Sequence, residues 1–320
     1  MLTVEGLRVY YKTNRGLLKA VDDVSFSVGK GEIVGLVGES ACGKTTVAMS
    51  IMRLLPTGAR VYDGRVLFDG QDILNATEEQ MRDIRWKQVS IIFQGALNSL
   101  NPVLTVREQI AEGILAHETV DKKTIDGRID ALFRYVGLDP ARRMNYPHEF
   151  SGGMKQRIMI AMALACNPAL VIADEPTTAL DVVVQYQILD LIRNLREKLQ
   201  ISMILITHDL SVVAELSDKI AIMYAGKIVE YGDTFEIFER PKHPYTRALL
   251  KSIPKMQGAK TRLTYISGSV PDLTGPVPAC RFYDRCQYAQ KKCAEVEPKT
   301  EQVGTNQSVA CHFWRDIEKQ

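Results

Sequence analysis

The sequence predicts an α/β fold: an antiparallel β layer ahead of a glycine-rich strand-to-helix loop, an inserted α-helical subdomain, and a small Cys-rich C-terminal extension. Three observations predict it. Short apolar runs at 32–37, 89–93, 169–173 and 201–207 alternate with segments of helical period, the pattern of buried parallel strands and their crossovers. Gly38-Glu39-Ser40-Ala41-Cys42-Gly43-Lys44-Thr45-Thr46 has the spacing G-x-x-x-x-G-K-[ST] between one such strand and a helical stretch. Beyond residue 255 the composition shifts, with Pro271, Gly275, Pro276 and Pro278 crowded together and four cysteines between 280 and 311.

Composition bounds the alternatives. A chain of 320 residues, 46% hydrophobic and 24% charged, is ordinary globular protein of about two domains. The 40 basic and 38 acidic residues leave a net charge of +2, so no broad cationic surface argues for nucleic acid. The uninterrupted apolar runs, such as 158–166, fall well short of the roughly 18–20 residues that span a bilayer. The first residues lack a basic segment followed by an apolar one, so no signal peptide is expected and the chain reads as cytosolic. Six cysteines in a reducing compartment point to metal or redox chemistry rather than to disulfides.

The nucleotide loop is the strongest local signal. Successive backbone N–H groups can curl around phosphates at a helix N-terminus, where unpaired donors and the helix dipole favour negative charge. Lys44 would reach the β- and γ-phosphates and the Thr45 hydroxyl would ligate magnesium. Upstream, 2–11 and 21–28 alternate in polarity around the turn 13–16, as in an antiparallel pair. Tyr10 and Tyr11 close the first strand; a ring there can stack on an adenine or pack on its neighbour.

Downstream, 61–70 reads as short strands around glycine turns, and the strand 89–93 ends in Gln94, placed to reach a metal or an attacking water. From 106 to about 144 the period is helical, with Ile110, Ile114, Ile125, Ile129, Leu132, Phe133 and Val136 as its apolar face. Ser151-Gly152-Gly153 opens another helix, running through Ala165, with Ser151 as cap and glycines that admit close backbone approach; an anion or simple packing would explain it. The apolar strand 169–173 ends in Asp174-Glu175, where α/β sheets bind ligands. One carboxylate can serve a magnesium shell and the other can polarise water. Asp181 precedes a helix from 182 to about 199, His208 caps the strand 201–207, and 219–232 forms a final pair of strands.

In that order the nucleotide loop, Gln94, Ser151-Gly152-Gly153, Asp174-Glu175, Ala179-Leu180-Asp181 and His208 resemble the nucleotide-binding subunits of ABC transporters, over residues 1–255. The resemblance implies a P-loop NTPase (RecA-like) core with the helical insertion at about 95–165. It implies that Gly38 through Thr46 bind ATP, that Thr45, Gln94 and Asp174 serve Mg2+, that Glu175 is the general base, and that His208 contacts the γ-phosphate. Tyr11 becomes the expected adenine platform. Ser151, Gly152 and Gly153 would face the nucleotide of a second ATPase subunit, a paralogue or a second copy, and Asp181 would join the nucleotide-binding residues. Met154 departs from the glutamine commonest after the signature, and Ala41-Cys42 depart from the loop's usual small residues; Cys42 would make the site sensitive to thiol reagents.

His243-Pro244-Tyr245-Thr246-Arg247-Ala248-Leu249-Leu250 and Ser267-Gly268-Ser269-Val270-Pro271 resemble the C-terminal region of the dipeptide/oligopeptide importer subgroup, which includes nickel and some oligosaccharide importers. By that resemblance Cys280, Cys286, Cys293 and Cys311 bind a 4Fe-4S cluster within an extension spanning 256–320. Their spacings of five, six and seventeen intervening residues allow four thiolates to converge on a cubane or on zinc, with His312 a weak rival ligand. Cys166 reads as core. The expectation is an ATPase peripheral to the cytoplasmic face of the cell membrane, with two transmembrane permease subunits and, indirectly, an extracytoplasmic solute-binding protein. A soluble non-transport ATPase is the rival, but no long heptad insertion and no second cassette is present.

Overall fold

The computed structural model describes residues 1–95, 99–252 and 266–318. They form two compact units: Met1–Val28, Ile33–Leu74 and Thr207–Gln320 in one, Gly29–Glu32 and Asn75–Ile206 in the other.

The first unit contains an antiparallel sheet in the order Gly16–Val28, Leu2–Thr13, Ala59–Phe68, Gln71–Asp72. Leu2, Val4, Leu7 and Val9 share its buried face. The step from Val4 to Leu7 breaks strict alternation, and there the register with the neighbouring strand shifts. A bulge absorbs the extra residue and returns the apolar series to the core. Two boundaries differ from the expectation. The second strand begins at Gly16 rather than at 21, because backbone pairs Thr13↔Gly16 and Tyr11↔Leu18 extend the hairpin. Ala59–Phe68 is one continuous strand rather than short strands around glycine turns.

A second set of strands in this unit runs Glu301–Val303, Gln307–Val309, Lys227–Asp233, Lys219–Tyr224, Ile33–Val37. Ile33–Val37 is parallel to Lys219–Tyr224, as expected of a buried strand that feeds a helix, and all five of its residues are buried. The extension contributes the hairpin Glu301–Val303 and Gln307–Val309, whose inner strand pairs Glu230↔Val309 and Gly232↔Gln307. Its Leu273 and Phe282 lie in one core with Val37, Ile222, Tyr224 and Tyr245. Buried Glu230 accepts hydrogen bonds from the backbone N–H groups of Lys242 (2.7 Å) and His243 (3.0 Å) and from Gln307 Nε2 (2.7 Å). These bonds satisfy a carboxylate that burial pushes toward its neutral form.

The second unit holds the parallel strands Val89–Ile92 and Leu170–Asp174, and Ser202–Thr207 as far as Ile206, in register Ile92↔Ala173 and Asp174↔Ile206. Its helices include Val106–Leu115, Lys122–Tyr135, Gly152–Ala163 and Val182–Leu199. Each of the first two starts where a side chain satisfies an orphan N–H. Thr105 accepts from Glu108 N in a capping box, and Asp121 accepts from Thr124 N. Such caps contribute about 1 kcal/mol apiece. The seven apolar residues that set the helical period are all buried, with Ile110, Ile129 and Phe133 fully so.

Phe133→Ala should therefore cost about 3–5 kcal/mol, read as a lower urea midpoint. An unchanged midpoint would show that this face does not carry the helical core.

Candidate functional site

The nucleotide loop follows from packing at both its ends. A Cβ on Gly38 would collide with the Met223 carbonyl oxygen, a backbone atom that cannot move aside. The helix Lys44–Ile51 then starts from Gly43 with no side-chain cap, so its first N–H groups are left for an anion. Lys44 is 6% exposed. Its Nζ donates to the carbonyls of Gly38 (2.7 Å) and Glu39 (3.0 Å), which satisfies a buried ammonium from within its own loop. Ser40, Ala41 and Thr45 are exposed on that loop. Ala41 takes φ 63, a left-handed conformation strained for a residue with a Cβ. The hydroxyls of Tyr11 and Thr46 lie 3.1 Å apart, which brings Tyr11 to the loop's helix.

Cys42 corrects one expectation. It is 1% exposed, and burial pushes its thiol pKa up despite the neighbouring Lys44. A buried, protonated thiol is a poor nucleophile, so its position in the motif does not confer reagent sensitivity. His208, in the same unit, is exposed and directly follows the strand Ser202–Thr207.

In the second unit, the strand Leu170–Asp174 ends with Asp174 at 2% exposure. Glu175 then adopts φ 47 while its N–H donates to the Ile206 carbonyl (2.8 Å). Its carboxylate accepts from Gln94 Nε2 (2.9 Å) and Thr178 Oγ1 (2.7 Å). Gln94 and Glu175, 81 residues apart in sequence, thus meet directly. Thr178 was not singled out from the sequence; its place three residues after the acidic pair was the available signal. Ser151 is exposed and caps the helix Gly152–Ala163 without a side-chain bond. A Cβ on Gly153 would strike the Val184 γ-methyl, so packing alone demands a small residue there. Asp181 caps the helix Val182–Leu199 by accepting from Val184 N (3.0 Å).

Cys280, Cys286, Cys293 and Cys311 line a single small cavity of about 20 Å³ with Phe282, Tyr288 and Phe313. The backbone at Phe282, Tyr288 and Phe313, two residues on from Cys280, Cys286 and Cys311, pulls those thiols toward the thiolate. Without a cation, burial and the neighbouring thiols push Cys280 up to about 12, push Cys311 up to about 11, and raise Cys286. Among the described residues, no group of three or more His, Cys, Asp or Glu is drawn into metal-ligating geometry. His312 Nε2 lies 2.8 Å from the Val296 carbonyl oxygen. Cys166 is buried, as a core residue should be.

Fold and loop together define an ABC-type ATP-binding cassette. Residues 21–178 match the ABC transporter family, and residues 229–293 match the oligopeptide/dipeptide transporter C-terminal region. The chain is similar to the dipeptide transport ATP-binding protein DppD of Bacillus subtilis, 47% identical over 93% of this chain and 90% of that protein. It is also similar to DppD of Escherichia coli, 44% identical over 98% and 96%. The oligopeptide transport ATP-binding protein AppD of Bacillus subtilis is 43% identical over 99% and 97%. Among solved structures it resembles the dimeric post-hydrolysis state of the ATP-binding cassette MJ0796 bound to ADP and Pi. There the TM-score is 0.66 at 26% identity, covering 73% of this chain and 99% of that one. The chain belongs to the ATP-binding subunits of the dipeptide/oligopeptide family of ABC transporters.

Gly38→Ala should destabilise more than Gly153→Ala in thermal melts, by about 1–3 kcal/mol, because the first meets a backbone carbonyl and the second a side chain that can rotate. Equal melting temperatures would contradict that reading of the loop.

Proposed function

We propose that this chain is the ATP-hydrolysing subunit that powers uptake of dipeptides or oligopeptides through ATP-driven closure of a dimer. The observation that carries the reading is the nucleotide loop, with an uncapped helix start and a lysine held beside it. The names of the similar proteins favour peptides over nickel or oligosaccharides as cargo.

In this mechanism the first N–H groups of the helix Lys44–Ile51 and the Lys44 ammonium hold the β- and γ-phosphates. A γ-phosphate that draws Lys44 Nζ from the Gly38 and Glu39 carbonyls exchanges neutral partners for a charged one. Glu175 accepts the proton of the attacking water, and Gln94, now bonded to that carboxylate, orients the water as it moves. His208 donates to the γ-phosphate, and Tyr11 offers a ring to the adenine. The Thr45 hydroxyl, Gln94 and the Asp174 carboxylate are hard oxygen donors suited to magnesium, which would neutralise charge on the phosphates. Ser151, Gly152 and Gly153 face the nucleotide of a companion ATPase subunit, paralogous or identical, and Asp181 joins the nucleotide-binding residues. A cassette at 1–255 and an extension at 256–320 divide these roles by motif content.

Two transmembrane permeases would receive the chain at the cytoplasmic face of the membrane, with an extracytoplasmic solute-binding protein engaged indirectly. Among the described residues no helix is long and apolar enough to cross a membrane, which accords with a peripheral position. Cys280, Cys286, Cys293 and Cys311 would hold a 4Fe-4S cluster, with zinc the alternative: all four line one apolar cavity, and four cysteines are the donor set such a cluster takes. Such a cluster would cross-link the extension and offer one-electron chemistry.

Glu175→Gln should retain ATP and trap the closed pair while hydrolysis falls by about 10²–10⁴-fold, measured as phosphate release and by light scattering. Rapid phosphate release by that variant would remove Glu175 from the mechanism. For the cysteines, anaerobic purification should yield iron and acid-labile sulfide; zinc without iron would replace the cluster by a structural metal.

A further inference from the structure

Arg285 stands immediately before Cys286 and closes the single turn Tyr283–Arg285. Its side chain is 5% exposed. Every N–H of its guanidinium has an acceptor. Nε donates to the Ser267 carbonyl (3.0 Å). One terminal nitrogen donates to Glu39 Oε2 (2.8 Å) and the Tyr224 hydroxyl (3.2 Å). The other donates to Glu39 Oε1 (3.0 Å) and the Ile266 carbonyl (3.1 Å). The pair with Glu39 is therefore bidentate, the geometry in which a guanidinium fixes direction as well as charge.

Glu39 is the second residue of the nucleotide loop, and it is held at two further points. Its N–H donates to the Tyr245 hydroxyl (3.1 Å), and its carbonyl accepts from Lys44 Nζ (3.0 Å). Phe282, which lines the cysteine cavity, packs edge-on against Tyr224 and Tyr245, with ring centroids 5.1 and 5.4 Å away. Only a few bonds thus separate the turn between Cys280 and Cys286 from the lysine that meets the phosphates. A side chain whose five donors are all engaged cannot shift without breaking several of them.

We propose that Arg285 is a positioning residue through which the four-cysteine site sets the nucleotide loop, holding Glu39 so that an assembled cage favours ATP binding and a broken one weakens it. This rests on the cysteines holding a metal cluster, as proposed above. The chain thereby couples the state of its extension to its affinity for nucleotide.

The test is equilibrium titration of the full-length chain, purified anaerobically, with a fluorescent ATP analogue. Iron content and melting temperature are recorded beside it. Arg285→Ala and Glu39→Gln should each weaken binding by roughly tenfold with iron retained, and the double variant should be no weaker than either single one. Arg285→Lys, which keeps the charge but loses the fork, should recover only part of the affinity. Stripping the cluster with oxidant and chelator should weaken wild type by roughly tenfold and leave Arg285→Ala unchanged. Wild-type affinity in Arg285→Ala or Glu39→Gln, effects that multiply in the double variant, or equal losses on stripping with and without Arg285 would overturn the proposal. A wild-type chain that holds no metal overturns the cluster reading and the link to the cage; the two-residue cycle then still decides whether the pair holds the loop.

Discussion

A buried ammonium has to be paired before its ligand arrives, and much of this structure follows from how Lys44 meets that condition. At 6% exposure its charge would be costly without partners, and its Nζ is bonded to two carbonyls of its own loop. Those carbonyls are in turn held in place. Gly38 sits against the Met223 backbone, and Glu39 is fastened through its carboxylate, its N–H and its carbonyl. The loop is preorganised, so little ordering remains to oppose phosphate binding.

The extension belongs to the same physical account. A segment rich in proline and polar residues buries little by itself, and here Leu273 and Phe282 complete a core begun by Val37, Ile222, Tyr224 and Tyr245. Its hairpin extends a sheet, and Gln307 supplies one of the donors that satisfy Glu230. Arg281 reinforces the join by reaching the Ala225 carbonyl and Asp22. The cysteines therefore stand on a surface already welded to the nucleotide loop, not on a tether.

The sequence made legible whatever depends on local pattern. Period and polarity located the strand Ile33–Val37, the apolar faces of Val106–Leu115 and Lys122–Tyr135, and the carboxylates at the end of Leu170–Asp174. The same pattern missed Gly16–Ala20, whose strand is held by backbone pairing while Leu17 and Lys19 face solvent. It missed Glu301–Val303 and Gln307–Val309 as well, because three-residue strands carry no period, and the hairpin they make is seated by pairing with Lys227–Asp233, distant in sequence. Among site residues, the loop motif announced Lys44 and the strand end announced Glu175. Nothing in the sequence announced that Arg285 would reach Glu39, since a pairing across 246 positions leaves no local trace. Gly153 shows the converse: a motif glycine has an evident packing reason in Val184 alongside any functional one.

The preformed loop around Lys44 is where this protein takes hold of a triphosphate. Calorimetric titration of magnesium-ATP into the wild-type chain and into Lys44→Met tests it most directly, since methionine keeps the length and apolar stem but removes the charge. Affinity should fall by about a hundredfold or more in the variant while the melting temperature without nucleotide shows it still folded. Equal affinity in the two proteins would contradict it.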